Sequence, residues 1–305
     1  MSPDPVVSLD QLIGNTPLLP LRRMASAGAA RVFVKLEYFN PGGSVKDRPA
    51  RAIIRAAERD GRLASGVALL DASSGNTGIA YAMLCVERGY ACEICIPGNA
   101  SVERRKLLRC YGATIIITDA LEGSDGAIRE ARRRAAEWPK RYFYADQYNN
   151  AENVQAHYDT TGVEIWEQSN RGVTHFVAAL GTRGTFVGAG RRLREYSPDI
   201  RLVAVQPDSP MHGLEGVKHM ATAIVPGVFD PALADATVVI TTEEAQATAR
   251  RLAREEGILA GASGGANVAA ALRVAAACGP DAMVVTLIPD GGERYLSESW
   301  WEKLP

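Results

Sequence analysis

Seven short apolar runs, separated by stretches of helical periodicity, restrict the folds open to this chain more than any other feature. The runs are Val32 to Leu36, Ala68 to Asp71, Cys92 to Ile96, Thr114 to Ile117, His175 to Ala179, Leu202 to Gln206 and Met283 to Ile288. They are too short for helices and read as buried strands. Between them, Ala50 to Asp60, Thr77 to Arg88 and Val102 to Tyr111 carry apolar residues at helical spacing. Each is followed by a glycine, Gly61, Gly89 and Gly112, the residue that best takes the left-handed conformation ending a helix. Strand–helix alternation of this kind implies an α/β fold with mostly parallel, twisted sheets and helices on both faces. A chain of 305 residues, at roughly 150 per domain, is expected to form two such domains.

Charge and composition exclude several classes. The net charge is −1, so no basic field exists to hold nucleic acid. The start, MSPDPVVSLD, has no basic segment followed by an apolar run and does not read as a signal peptide. No apolar stretch is long enough to cross a bilayer. Five cysteines, Cys85, Cys92, Cys95, Cys110 and Cys278, form no disulfide framework and suit a reducing cytoplasm. Cys92 and Cys95 make a C-x-x-C within a strand, where residues three apart face opposite sides. Without a second Cys or His pair they do not form a zinc site. The histidines His157, His175, His212 and His219 are scattered, so no metal site is expected. His157 and His175 are assigned structural places.

Ligands of parallel sheets bind outside the carboxyl ends of the strands. Four loops are rich in Gly, Ser, Thr and Asn: NPGGSVKDR (40–48), SSGNTG (73–78) and GTRGT (181–185), each after a predicted strand, and GASGGA (261–266), which opens an alanine-rich helix. GTRGT precedes a helix, whose amides and partial positive charge suit a phosphate; a plain strand-to-helix turn is the other reading. SSGNTG can grip a carboxylate or merely cap a helix. Lys46 follows two glycines and a serine at the start of a helix, where a cation is disfavoured. It reads either as the amine that anchors a pyridoxal cofactor or as a surface lysine paired with Asp47. Ser263 suits a neutral pyridine nitrogen, or an N-cap.

Taken in order, LIGNTPL (12–18), NPGGSVKDR, SSGNTG, DQYNNAEN (146–153), GTRGT and the serine-bearing glycine loop resemble the cysteine synthases, the O-acetylserine sulfhydrylases of pyridoxal-phosphate fold type II, which is tryptophan synthase β-like. The likeness runs to PDGGERYLS (289–297), and DQYNN, AHYDTTGVEIW, THFVAALGT and GERYLS look like the B-type branch. The resemblance implies that Lys46 is the covalent anchor of pyridoxal 5′-phosphate and moves the substrate α-proton. It implies that Asn76 contacts the cofactor's 3′ oxygen, and that Gly181, Thr182, Arg183, Gly184 and Thr185 form the phosphate cup. Ser263 would face the pyridine nitrogen. Ser73, Ser74, Gly75, Asn76, Thr77 and Gln147 would take the substrate carboxylate. Residues 47–146 would form a smaller mobile domain, and 1–46 with 147–305 a larger one, in a cytoplasmic homodimer without nucleic-acid or membrane partners.

The implied reaction is β-replacement of O-acetyl-L-serine or O-phospho-L-serine, with sulfide or thiosulfate as small-molecule partner, giving L-cysteine or S-sulfocysteine. Two stretches depart from the family pattern. Arg183 stands in mid-cup, where a small residue is usual, and can point away, grip the phosphate or reach a neighbouring subunit. The loop MHGLEGVKHM (211–220) brings Lys218, which either admits an anionic substrate or is a solvated surface residue. The rival readings are a cystathionine β-synthase-like enzyme, a serine or threonine dehydratase, and a non-catalytic binding partner.

Overall fold

The computed structural model describes residues 8–73, 75–220 and 231–302. Among the described residues, ten strands form two sheets. The larger has the order β1–β2–β10–β7–β8–β9, from β1 (Leu18–Pro20), β2 (Arg31–Leu36), β7 (His175–Ala179), β8 (Arg201–Pro207), β9 (Ala236–Ile240) and β10 (Met283–Ile288). The smaller has the order β5–β4–β3–β6, from β3 (Ala68–Ala72), β4 (Cys92–Pro97), β5 (Thr114–Thr118) and β6 (Tyr142–Tyr144). All pairings are parallel except β1 with β2. Strands β3, β4 and β10 are buried along their whole length, because helices cover both faces.

The helices are α1 (Asp47–Arg59), α2 (Asn76–Arg88), α3 (Val102–Cys110), α4 (Gly123–Glu137), α5 (Ala151–Ala156), α6 (Gly162–Gln168), α7 (Gly184–Tyr196), α8 (Thr242–Arg251) and α9 (Ala262–Ala276). A π-helical turn, His157–Thr161, joins α5 to α6. The glycine stops are as expected: Gly61, Gly89 and Gly112 have φ of 70°, 74° and 74°. Helix α1 starts earlier than periodicity suggested because Pro49 sits in its first turn, where its missing N–H costs nothing. Cys92 packs into one core layer and Cys95 into another, on opposite faces of β4 as strand geometry requires.

Sequence periodicity missed β1, β6 and β9. Strand β1 is three residues long and ends in proline. Strand β6 is equally short. Strand β9, ATVVI, has a short apolar run but lies at the sheet edge with most of its residues exposed.

The first residues of the smaller sheet are reached through α1 and its last strand leads into α5. The central strands, β3 and β4 in one sheet and β7 and β10 in the other, send their carboxyl-end loops to a shared cleft.

Candidate active site

That cleft is a cavity of about 810 Å³. Lys46, Ser73, Asn76, Thr77, Gln147, Gly181, Thr182, Arg183, Thr185, Lys218 and Ser263 all line it. Two expected residues, Gly75 and Gly184, are not among the residues that line the cavity, and neither has room for a side chain. A Cβ on Gly75, whose φ is 152°, would meet Arg104 Cδ at 2.1 Å; one on Gly184 would meet Asn153 Oδ1 at 1.9 Å. Ser74 lies outside the described residues.

Lys46 is the residue before α1. Burial is the chief cause that lowers its pKa; Asp290 works against this and Arg104 adds to it. Asp47 does not partner Lys46 as the surface reading required. Its Oδ2 accepts the Gly42 N–H at 2.5 Å, and burial pushes its carboxyl up to about 7. An ionic group stands two residues on. Buried Arg48 donates to Glu37 at 2.7 and 2.8 Å and to Glu164 at 2.6 and 2.7 Å, and Lys35 pairs with Glu164 at 2.6 Å.

In SSGNTG, Ser73 serves the helix start, and Thr77 faces the cavity. Ser73 Oγ accepts the N–H groups of Gly75 and Gly78, each at 3.0 Å, and so caps α2. Thr77 turns to the cavity and donates to Gln147 Oε1 at 2.6 Å. Gln147 Nε2 in turn donates to Ala72 O at 2.6 Å, which ties the two carboxylate-side segments together.

At GTRGT, Arg183 has φ of 70° and no side chain caps α7. The first-turn N–H groups of this 13-residue helix therefore lack a capping side chain at the cavity wall, the arrangement that binds anions. Arg183 itself is 1% exposed and its Nη2 lies 3.0 Å from Met220 Sδ. Burial lowers its pKa to about 10, so it stays charged at neutral pH. Lys218 is not a solvated surface residue. Its side chain is 12% exposed, pairs with Asp125 at 3.6 Å and lies 4.5 Å from the Tyr148 ring centroid. Ser263 does not cap α9; that position is Gly261.

No individual signal in the sequence marks Arg104, Glu215, Asp290 or Tyr295. Arg104 on α3 pairs with Glu215 on the 211–220 loop, lies 3.8 Å from Asp290 and stacks on the Tyr295 ring at 4.8 Å. Asp290 follows β10, so the carboxyl-end rule could have pointed to it. Arg104 is carried by an otherwise ordinary helix. Among the described residues no cluster of His, Cys, Asp or Glu is placed to hold a metal, and no helix is long and apolar enough to cross a membrane.

Parallel sheets meeting at a cleft, a buried amine of lowered pKa and a helix N-terminus open to an anion define an enzyme built for a phosphorylated carbonyl cofactor. The chain belongs to the family of pyridoxal-phosphate dependent enzymes, whose model matches residues 9–290, and pyridoxal phosphate is the cofactor of that family. Cysteine synthases are among its relatives. It is 45% identical to cysteine synthase of Aquifex aeolicus, covering 94% of this chain and 90% of that one. It is 44% identical to cysteine synthase B of Escherichia coli, covering 95% and 94%. A crystal structure of O-ureido-L-serine synthase superposes with a TM-score of 0.93 at 38% identity, covering 99% and 97%.

Proposed function

We propose that this protein is a cysteine synthase that exchanges the β-substituent of an activated L-serine for sulfur. The observation that carries the reading is that Lys46, Asn76, Thr185 and Ser263 line one cavity, in a chain whose relatives bear that name over more than nine-tenths of its length.

The uncapped amides of α7, with the Thr182 and Thr185 hydroxyls, hold the cofactor phosphate, and Gly181 and Gly184 keep that turn close-packed. Ser263 would hold the pyridine nitrogen of the bound cofactor, and Asn76 its 3′ oxygen. When bound, pyridoxal phosphate supplies an electron sink for negative charge at the substrate α-carbon. Thr77, Ser73 and Gln147, with Ser74 and the Gly75 amide, hold the substrate carboxylate and so orient the Cα–H bond. Lys46, kept neutral more readily by burial, takes the α-proton. The Cβ–O bond breaks and the carboxylate or phosphate leaves. A sulfur nucleophile forms the Cβ–S bond, Lys46 returns the proton, and L-cysteine is released. Residues 47–146 act as the smaller, mobile unit and 1–46 with 147–305 as the larger, so that closure excludes water. The working assembly is a homodimer in the cytoplasm.

O-Acetyl-L-serine, then O-phospho-L-serine, is added to the purified protein without a sulfur donor while the visible spectrum is followed. The expected result is a shift of the lysine-bound cofactor band by one of them, its return on adding sulfide, and L-cysteine as product. A band indifferent to both substrates refutes the reading and sends the assignment to the dehydratase or cystathionine β-synthase rivals. Absence of any cofactor band leaves the binding-partner reading.

A further inference from the structure

We infer that His157 is a positioning residue that commits the Thr185 hydroxyl as a donor toward the cofactor phosphate. The inference rests on the proposed role of GTRGT as the phosphate cup. His157 is 1% exposed and opens the π-helical turn between α5 and α6. Such turns interrupt a helix at some cost and recur at functional sites. Both ring nitrogens are engaged: Nδ1 lies 2.9 Å from Thr161 Oγ1, and Nε2 lies 3.2 Å from Thr185 Oγ1.

The approach that makes this possible is built into α7. A Cβ on Gly188 would stand 2.2 Å from Val154 O and 2.8 Å from His157 Cβ. Glycine there lets the π turn lie against the first turns of α7, where Thr185 lines the cavity. Burial, with the nearby Arg48 charge, lowers the His157 pKa to about 3, so the ring is neutral under working conditions and has one donor and one acceptor nitrogen.

A threonine hydroxyl has a single proton. If His157 were protonated on Nδ1, Nε2 would claim that proton and Thr185 would face the phosphate with lone pairs only. With the proton on Nε2, His157 donates to Thr185 Oγ1, the Thr185 proton is left for the anion, and Thr161 donates to Nδ1. The three groups then point their hydrogen bonds one way, toward the negative charge. A second donor of this kind is what distinguishes a positioning role from packing.

The test compares holoenzymes by the ³¹P resonance of the bound phosphate and by the rate at which cofactor is lost to a trap. His157→Leu should shift the resonance and release cofactor roughly tenfold or more faster, the scale of one hydrogen bond to a charged group. His157→Gln, whose amide N–H₂ can stand near the Nε2 position, should restore most of the wild-type behaviour. On a Thr185→Val background His157→Leu should add little, because the two act in series. In ¹⁵N-histidine spectra of the wild-type holoenzyme, the Nε2–H tautomer is expected. An Nδ1–H tautomer, or a His157→Leu effect undiminished beside Thr185→Val, overturns the inference, and the tautomer measurement needs no variant to fold. A wild-type protein with no bound phosphate resonance removes the cofactor-cup reading itself, whereas a normal resonance indifferent to His157→Leu removes only the role of His157.

Discussion

Asn76 Nδ2 donates to Asp290 Oδ2 at 2.6 Å, joining the first residue of α2 to the loop after β10. The same carboxylate oxygen accepts the buried Tyr295 hydroxyl at 2.5 Å. Asp290→Ala leaves that hydroxyl and Asn76 without their acceptor, at a cost of about 1–3 kcal/mol. Asp290→Asn keeps an acceptor and should cost less. Urea unfolding midpoints decide this, and equal losses for the two variants would contradict it.

The Arg48 group gives a pH prediction. Burial alone would push the Glu164 carboxyl up, but the Arg48 hydrogen bonds and charge, with Lys35, outweigh it and bring the pKa down to about 2. A carboxyl held below its ordinary value of 4.5 stabilises the fold above that pH, and loses this contribution as pH falls toward 2. Glu164→Gln should cost about 3–5 kcal/mol near neutrality, since Arg48 and Lys35 stay buried with one counterion removed. The gap from wild type should narrow as the pH falls below 4.5. A gap constant between pH 7 and pH 3 would show that the pairing is not the source.

A Cβ on Gly181 would lie 2.1 Å from Gly216 O, while Lys218 N donates to Leu180 O at 2.8 Å. The 211–220 loop is thus seated directly on the cup. Gly181→Ala should push it off, lowering stability by about 1–3 kcal/mol and speeding protease cleavage within the loop. Unchanged cleavage would mean that the loop absorbs the methyl.

Lys218 and Asp125 form a partly buried pair at the cavity wall. If Lys218 draws in anionic substrates, Lys218→Ala should raise KM for O-phospho-L-serine and thiosulfate a few-fold, about 1 kcal/mol. Asp125→Asn should lower both. KM values that ignore both substitutions rule out the charge-attraction role.

Whatever depends on neighbours in the chain was legible beforehand. Seven strands, three glycine stops and the loops that carry Lys46, Asn76, Thr185 and Ser263 follow from periodicity and local backbone preference; the first three of those loops come after strands β2, β3 and β7, and that of Ser263 opens α9. The partners did not follow. Whether Asp47 or burial governs Lys46, how Arg104 meets Glu215 from residues 111 positions apart in sequence, and that His157 reaches Thr185 through the gap left by Gly188 were decided only when the helices packed. Hydrogen bonds, desolvation and charge coupling depend on distances of a few ångströms between segments remote in the chain, and periodicity carries no information about those distances.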